Sequence, residues 1–422
     1  MKDNIPCSKS YAQRYILGAL FSNSKVTLYG IDKDNISEDI KSAIRLLDEF
    51  GVKYEFIDDS LKIDATKIFI QKHLFNGFKF NCGESGTLIR LLIPILASYR
   101  GTFVLSGKGS LEHRNLDSIA HTLADLCIFY NSNNGKVPII ISSLGDYHNR
   151  YEELTLDGKE TSQYISGMIM AACFSGQKKR FKIVNCPSLE YVKITIEAMN
   201  LLGYDVYDIN GYDYVCVNGR PYPQEEYRIN IEKDWSSAAA YIVEKIIEND
   251  DRIEIDDLDV YSWQCDSAIL DLIRLKYSTW FNGFHVTITN DRSELTSFKF
   301  NCTRCPDLFP VVCALASTIK SGWSEVIGLD RLVNKESDRG QVMHNELKKY
   351  GINVYIKENS LFIKGTDKIV DAPYDSHNDH RIAMALMMIR NYYGLTIPDE
   401  DPCLDKSYPK FRKDIYKITR HA

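Results

Sequence analysis

The chain has 422 residues, 44% of them hydrophobic, enough to bury two cores of about 200 residues each rather than one. A formal net charge of −6 gives no global field for nucleic acid or an anionic membrane, so any site for a polyanion has to be local. Apolar runs such as IAMALMMI (382–389) fall far short of the roughly 20 residues that cross a bilayer, and the eleven cysteines follow no disulfide framework, so a cytoplasmic protein with reduced thiols is expected.

From the N-terminus, CSKSYAQRYILGALF places Lys9, Ser10 and Arg14 before and within the first turns of an amphipathic helix. A repeat then sets in, in which a helix ends in an apolar residue and Gly and two short strands follow around a polar turn: LDEFGVKYEFIDDSLKID around Gly51, MNLLGYDVYDINGYDYVCV around Gly203 and LKKYGINVYIKENSLFIKG around Gly351. Weaker copies sit midway, near Cys127 and near Tyr277, so the period is about 75 residues. Each glycine fits the position just past a helix end, where φ is positive, and the alternation in VKYEFI, YDVYDI and INVYIK predicts half-buried strands. The unit is therefore α/β. Five copies are visible, the two chain ends leave room for a sixth, and three per domain is the economical arrangement. The proline pair in RPYPQEEYR marks the change of domain, giving 9–230 as one domain and 1–8 with 231–422 as the other. Only eight residues precede Lys9, which leaves little chain for an edge strand.

Between the repeats lie helix starts carrying polar residues. GESGTLIRLLIPILA puts Gly86 and Thr87 at a helix start with Arg90 on the same face, where free N–H groups and an Arg suit an anion. TSQYISGMIMAA sets Thr161, Ser162 and Gln163 ahead of a small-residue helix; capping accounts for one hydroxyl, and three hydrogen-bonding side chains suit a ligand surface. PSLEY adds Ser188 and Tyr191 in what is otherwise a turn. In EKDWSSAAAYIV, Asp234 and Ser236 read as caps, and so, taken alone, does Asp307 in CPDLFPVVCALA. The CTRC stretch (302–305) reads as a loop, with metal or redox use the alternative. NKESDRG (334–340) mixes both signs of charge: a solvated face, or cations for a phosphate or carboxylate from Lys335 and Arg339, with Glu336 for proton transfer and Asp338 to orient a cation. HNDHRIAMALMMI opens a helix with Asp379, His380 and Arg381, where no third metal ligand keeps helical spacing. Lys406, in LDKSYPKF, lies in a segment too proline-marked for a regular helix.

SKSYAQR, SGTLIR, TSQYISGMIMAA, DWSSAAAY, PDLFP, KESDR, NDHRIAMA and DKSYP in this order resemble the enolpyruvyl transferases, and within them the branch acting on shikimate 3-phosphate. That resemblance implies two globular domains of three βαβαββ units each, an inverse α/β barrel, with the site in the cleft between them. It implies transfer of the enolpyruvyl group of phosphoenolpyruvate to the 5-hydroxyl of shikimate 3-phosphate, without cofactor or metal, by a monomer with no nucleic-acid or membrane partner. Shikimate 3-phosphate would meet Lys9, Ser10, Arg14, Thr161, Ser162, Gln163, Ser188, Asp307, Arg331 and Lys335. Phosphoenolpyruvate would meet Lys9, Gly86, Arg114, Gln163, Arg339, Arg381 and Lys406. Asp307 would be the base and Glu336 the acid, with Lys9 and Lys406 assisting. Gly86, having no side chain, implies room for the inhibitor glyphosate. The chain departs from the family's pattern at Glu84, where Asn is usual, at Asn115, where Pro is usual, and at Val333 and Asn334, where a further basic residue is often found. Two other readings are an enolpyruvyl transferase acting on UDP-N-acetylglucosamine and a non-catalytic binder of the same fold.

Overall fold

The structure, a computed structural model, describes residues 3–66, 77–145, 149, 151–220, 224–275, 277–290, 295–333 and 335–418. Pro221 and Pro223 of the expected domain break, Lys276 and Asn334 lie outside the described residues. The chain divides into two compact units, Cys7–Ile231 and, together, Met1–Pro6 with Glu232–Ala422.

The first unit runs α1 (Lys9–Phe21), β1 (Lys25–Tyr29), α2 (Glu38–Glu49), β2 (Lys53–Ile57), β3 (Ser60–Asp64), β4 (Phe78–Asn81), α3 (Gly86–Ala97), β5 (Arg100–Ser106), α4 (Ala120–Asp125), β6 (Phe129–Asn133), β7 (Lys136–Leu144), β8 (Glu153–Asp157), α5 (Gln163–Ser175), β9 (Lys179–Val184), α6 (Glu190–Leu201), β10 (Val206–Ile209), β11 (Tyr214–Val217) and β12 (Glu226–Asn230). These strands form three sheets of one pattern, β12-β1-β3-β2, β4-β5-β7-β6 and β8-β9-β11-β10, in which the first pair is parallel and the others antiparallel. Strands alternate in exposure, so each sheet keeps one face to solvent. The helices behave oppositely: α1, α3 and α5 are buried on nearly all faces, as a helix apolar all round must be. A Cβ at Gly167 of α5 would lie 2.9 Å from the Leu91 carbonyl oxygen, so the small residue lets α3 and α5 meet backbone to backbone. Helices inside and sheets outside is the inverse barrel.

The second unit carries α6's counterpart order onward: α7 (Trp235–Ile247), β13 (Arg252–Ile255), α8 (Ile269–Ile273), β14 (Tyr277–Asn282), β15 (His285–Asn290), β16 (Lys299–Asn301), α9 (Phe309–Thr318), β17 (Ser324–Ile327), α10 (Arg339–Lys349), β18 (Asn353–Lys357), β19 (Ser360–Lys364), α11 (His380–Tyr392) and α12 (Phe411–Ile418). Its sheets are β16-β17-β19-β18 and β13-β15-β14. The latter has no fourth strand among the described residues, and no sixth sheet forms there from the two chain ends. The N-terminal segment is instead fastened by Asp3 to Lys233 (2.9 Å) and by the Asn4 N–H to Asp414 (3.2 Å).

The repeat is visible atom by atom at its turns. Gly51 (φ 64°), Gly203 (φ 83°) and Gly351 (φ 76°) each follow a helix, and the N–H of the next residue donates to a carbonyl five positions back, as in Val52 to Leu47 (2.9 Å) and Ile352 to Leu347 (3.0 Å). In the second copy Cys127 takes the same left-handed conformation (φ 55°), with Ile128 donating to Leu123. There a residue with a Cβ bears the strain that Gly avoids elsewhere.

Inside the second unit, Glu244 of α7 is buried and Asn391 Nδ2 of α11 donates both to it (2.5 Å) and to Glu248 (3.0 Å). Burial pushes the Glu244 carboxyl up to about 8, with Asn391 opposing the shift. A carboxyl that holds its proton more tightly folded than unfolded costs stability as pH rises from about 4.5 to about 8, and the full cost stands above that. Glu244→Gln is therefore expected to stabilise the protein at pH 8.5 by up to about 3–5 kcal/mol and to change little near pH 4.5. Urea unfolding at both pH values checks this, and equal midpoints at pH 8.5 would refute it.

Candidate active site

In the second unit four charged side chains meet around Arg339, the first residue of α10. The side chain is almost wholly buried, donating from Nη1 to Asp307 Oδ1 (2.6 Å), from Nε to Asp379 Oδ2 (2.8 Å) and from Nη2 to Asp379 Oδ1 (3.2 Å). Burial alone would lower its pKa; the charges of Asp379, Asp307 and Glu336 outweigh that and raise it, so it stays a cation. Asp379 also caps α11 through the Arg381 N–H (2.9 Å) and accepts from Ser337 Oγ (3.0 Å).

Asp307 is not the N-cap of α9, a place taken by Leu308. It sits in a single 3-10 turn, Pro306–Leu308, with Lys335 Nζ at 3.4 Å besides Arg339. The simple cap reading of that aspartate is thus corrected: the carboxylate is turned to cations. Asp338 is corrected the other way. It is exposed and caps α10 through the Gln341 N–H (3.2 Å), and the cation it was expected to orient is held by Asp379. Glu336 Oε2 lies 2.9 Å from His380 Nδ1 and 3.9 Å from Lys406 Nζ, and Lys406 donates to the Asn378 carbonyl (2.7 Å) from a 3-10 turn, Pro402–Lys406. Arg381 is buried with its Nε and Nη1 donors lacking a hydrogen-bond partner among the described residues, and Nη2 is 4.0 Å from Asp234. A buried guanidinium with open donors is a place for an oxyanion. Arg331 stands half-buried in the turn before this cluster.

Glu336, Asp379 and His380 place ligand atoms within 4.8 Å of one another, so the third ligand that helical spacing did not offer comes from the loop. The donor set suits a metal poorly. Arg339 and the Arg381 N–H take both oxygens of Asp379, and Lys406 stands beside Glu336.

In the first unit, Lys9 pairs with Asp39 (3.0 Å). Gln163 accepts from Arg90 Nη1 (3.1 Å) and donates to Thr87 Oγ1 (2.8 Å), which joins the starts of α3 and α5. Thr161 Oγ1 accepts the Gln163 N–H (3.2 Å), the one cap among the three residues expected there, and Ser162 makes no capping bond. Ser85 caps α3 through the Leu88 N–H (3.3 Å), so Gly86 opens the helix. Arg114 follows a 3-10 turn, Gly109–His113, with Nη2 on Ser110 Oγ (3.2 Å), and a Cβ built at Gly86 would overlap its Nη1 and lie 3.0 Å from Arg90 Nη1. Ser10 is half-buried and Ser188 buried. Arg14 is fully buried, donating to Thr195 Oγ1 (2.7 Å), the Ser10 carbonyl (2.8 Å), the Tyr191 carbonyl (3.2 Å) and Ser166 Oγ (3.3 Å), and burial pulls its pKa down to about 10. These bonds brace α1 against α5 and α6.

Asp379, weighed from the sequence with His380 for metal, caps α11 and is the main partner of Arg339. One residue of this cluster drew no notice in the sequence. Asp266 lies in WQCDS, which carries no motif; it is buried, accepts from Ser236 Oγ, and burial followed by the charge of Asp307 pushes it up to about 7. Ser236, expected as a cap, serves this carboxyl while Asp234 caps α7 through the Ser237 N–H (2.8 Å).

Carboxylates held on cations, with open guanidinium donors beside them, in a helix-centred fold of repeated hairpins, are what the resemblance to the enolpyruvyl transferases implied. The comparisons agree: the model of the family EPSP synthase (3-phosphoshikimate 1-carboxyvinyltransferase) matches residues 3–415, and the chain belongs to that family. It is 29% identical to the 3-phosphoshikimate 1-carboxyvinyltransferase of Clostridium novyi (strain NT), over 98% of this chain and 94% of that one, and 30% identical to that of Clostridium botulinum (strain Alaska E43 / Type E3), over 97% and 93%. In fold it is similar to the EPSP synthase of Acinetobacter baumannii, with a TM-score of 0.72 at 21% identity over 99% of this chain and 95% of that one. It is also similar to the enolpyruvyl transferase NikO of Streptomyces tendae, with a TM-score of 0.68 at 14% identity over 98% and 93%.

Proposed function

We propose that the chain transfers the enolpyruvyl group of phosphoenolpyruvate to the 5-hydroxyl of shikimate 3-phosphate, releasing phosphate, with Asp307 as base and Glu336 as acid. The observation that carries the site assignment is Asp307 bonded to Arg339, with Glu336 on His380 and near Lys406, beside the open donors of Arg381. Asp307 would take the proton of the 5-hydroxyl as its oxygen bonds to C2 of phosphoenolpyruvate, and Glu336 would deliver a proton to C3. The tetrahedral ketal then loses a proton from C3, the C2–C3 double bond re-forms and the bond to the phosphate oxygen breaks. Lys406 beside Glu336 and the guanidinium groups of Arg339 and Arg381 would balance the charge on carboxylate and leaving phosphate. Lys9, Gly86, Arg114 and Gln163 of the first unit would meet phosphoenolpyruvate. Ser10, Thr161, Ser162 and Ser188, with Arg331 and Lys335 of the second unit, would meet shikimate 3-phosphate, and Arg14 would reach it through Ser10. We take the enzyme to be a cytoplasmic monomer; no helix among the described residues is long and apolar enough to cross a membrane.

A pure binder has no need of an acid and a base together. Phosphate release from phosphoenolpyruvate with shikimate 3-phosphate as acceptor, run beside UDP-N-acetylglucosamine and with an Asp307→Ala control, tests the reading. Release with the second acceptor alone, or ligand-induced thermal stabilisation without release, would overturn it.

Gly86→Ala is expected to raise the inhibition constant of glyphosate more than the KM of phosphoenolpyruvate, because the methyl group enters space that only the longer ligand needs. Both should rise, since the methyl also displaces the Arg114 guanidinium. Inhibition assays on the variant check this, and equal factors for both ligands would remove the steric account.

A further inference from the structure

Glu84, a carboxylate two residues before Gly86, stands beside a proposed anion site, where its charge ought to repel. The structure turns it elsewhere. Its Oε2 accepts the backbone N–H of Ser110 (3.0 Å), and a Cβ at Gly109 would lie 2.6–2.8 Å from its carboxyl carbon and oxygens, so the carboxylate rests on the Gly109–Ser110 peptide. Gly109 suits this twice over, with no side chain in the way and φ at +56°. A second tie joins the same two loops, from the Lys108 N–H to the Gly83 carbonyl (2.8 Å).

These contacts close a ring. Glu84 holds the N–H of Ser110; the Ser110 hydroxyl accepts from Arg114 Nη2 (3.2 Å); and Arg114 Nη1 overhangs Gly86 at the start of α3. The carboxylate of Glu84 thus accepts a free N–H at the start of the Gly109–His113 turn, a charge-assisted bond of the kind that orders a loop. We infer that Glu84 is a positioning residue for Arg114: it fixes the 109–113 turn and so sets the guanidinium over the helix start where an anionic group of phosphoenolpyruvate would lie. The inference rests on the proposed reading, in which Arg114 meets that substrate. It reverses the expectation for a carboxylate at position 84, since the acid helps anion binding by placing a cation.

Steady-state kinetics on the full chain test it, with both substrates varied. None of the residues assigned to shikimate 3-phosphate lies on the 83–86 or 107–114 loops, so Glu84→Ala is expected to raise the KM of phosphoenolpyruvate about tenfold, the worth of one charge-assisted hydrogen bond, and to leave the KM of shikimate 3-phosphate within about twofold. Glu84→Gln keeps an oxygen that can accept the Ser110 N–H and should recover most of the loss. Gly109→Ala should mimic Glu84→Ala, and the double variant should be no worse than either, because both break one contact. Unchanged KM values in Glu84→Ala, or equal rises for both substrates that Glu84→Gln does not rescue, would overturn the inference while leaving the reaction intact. A wild-type chain inactive with shikimate 3-phosphate would instead sink the reading of function, and the inference with it.

Discussion

Asp307→Asn is expected to lower turnover by about 10²–10⁴ while leaving the folded state nearly as stable as before. The amide keeps the shape of the carboxylate and an oxygen that can accept from Arg339 Nη1, and the other donors of Arg339 stay on Asp379. It cannot take a proton. Lys335, 3.4 Å from the carboxylate, loses a counter-charge but is itself half-buried and can reach solvent. Both substrates should still bind, so the loss falls on kcat, which separates a proton-transfer role from a binding role. Phosphate-release rates at saturating substrates, with urea unfolding alongside, decide it. Turnover within tenfold of wild type would remove Asp307 as the base.

The fold was legible because its unit repeats. A helix end, a left-handed residue and a two-stranded turn recur at about 75-residue spacing, and glycine marks that left-handed position wherever it stands there. Cys127 was the faint copy for a physical reason: it adopts the same conformation without the residue that advertises it. At the candidate site, Lys335, Glu336, Arg339 and Arg381 stood out because both signs of charge gather at helix starts, whereas Lys406, in a proline-marked turn, took its role only from the family resemblance. Asp307 was ambiguous, since an aspartate before an apolar helix caps far more often than it catalyses, and only the fold reveals that its carboxylate meets Arg339. Asp266 was silent. A lone Asp in WQCDS acquires its character from burial and from the nearby charge of Asp307, and these depend on chain segments some forty residues apart. Arg14 is the opposite case, a cation in a legible motif whose hydrogen bonds all run to α1, α5 and α6, which no motif could announce.

Asp379→Ala should do the reverse of Asp307→Asn and strike stability first. Asp379 is fully buried and accepts four hydrogen bonds, from Ser337 Oγ, Arg339 Nε, Arg339 Nη2 and the Arg381 N–H. Truncation leaves a buried guanidinium with Asp307 as its remaining partner and uncaps α11, and breaking a buried pair from one side costs about 3–5 kcal/mol. The cost arises from the stranded charge rather than from the worth of the pair, which makes it reversible by design. Adding Arg339→Met, an apolar side chain of similar reach, should recover at least about 1 kcal/mol in urea unfolding without restoring turnover. A double variant no more stable than Asp379→Ala would mean that Asp379 acts mainly as the cap of α11, worth about 1 kcal/mol, and that the ion pair is energetically idle. Recovery of stability without activity would place the four charges around Arg339 as a group kept for chemistry, since the fold would stand as well without them.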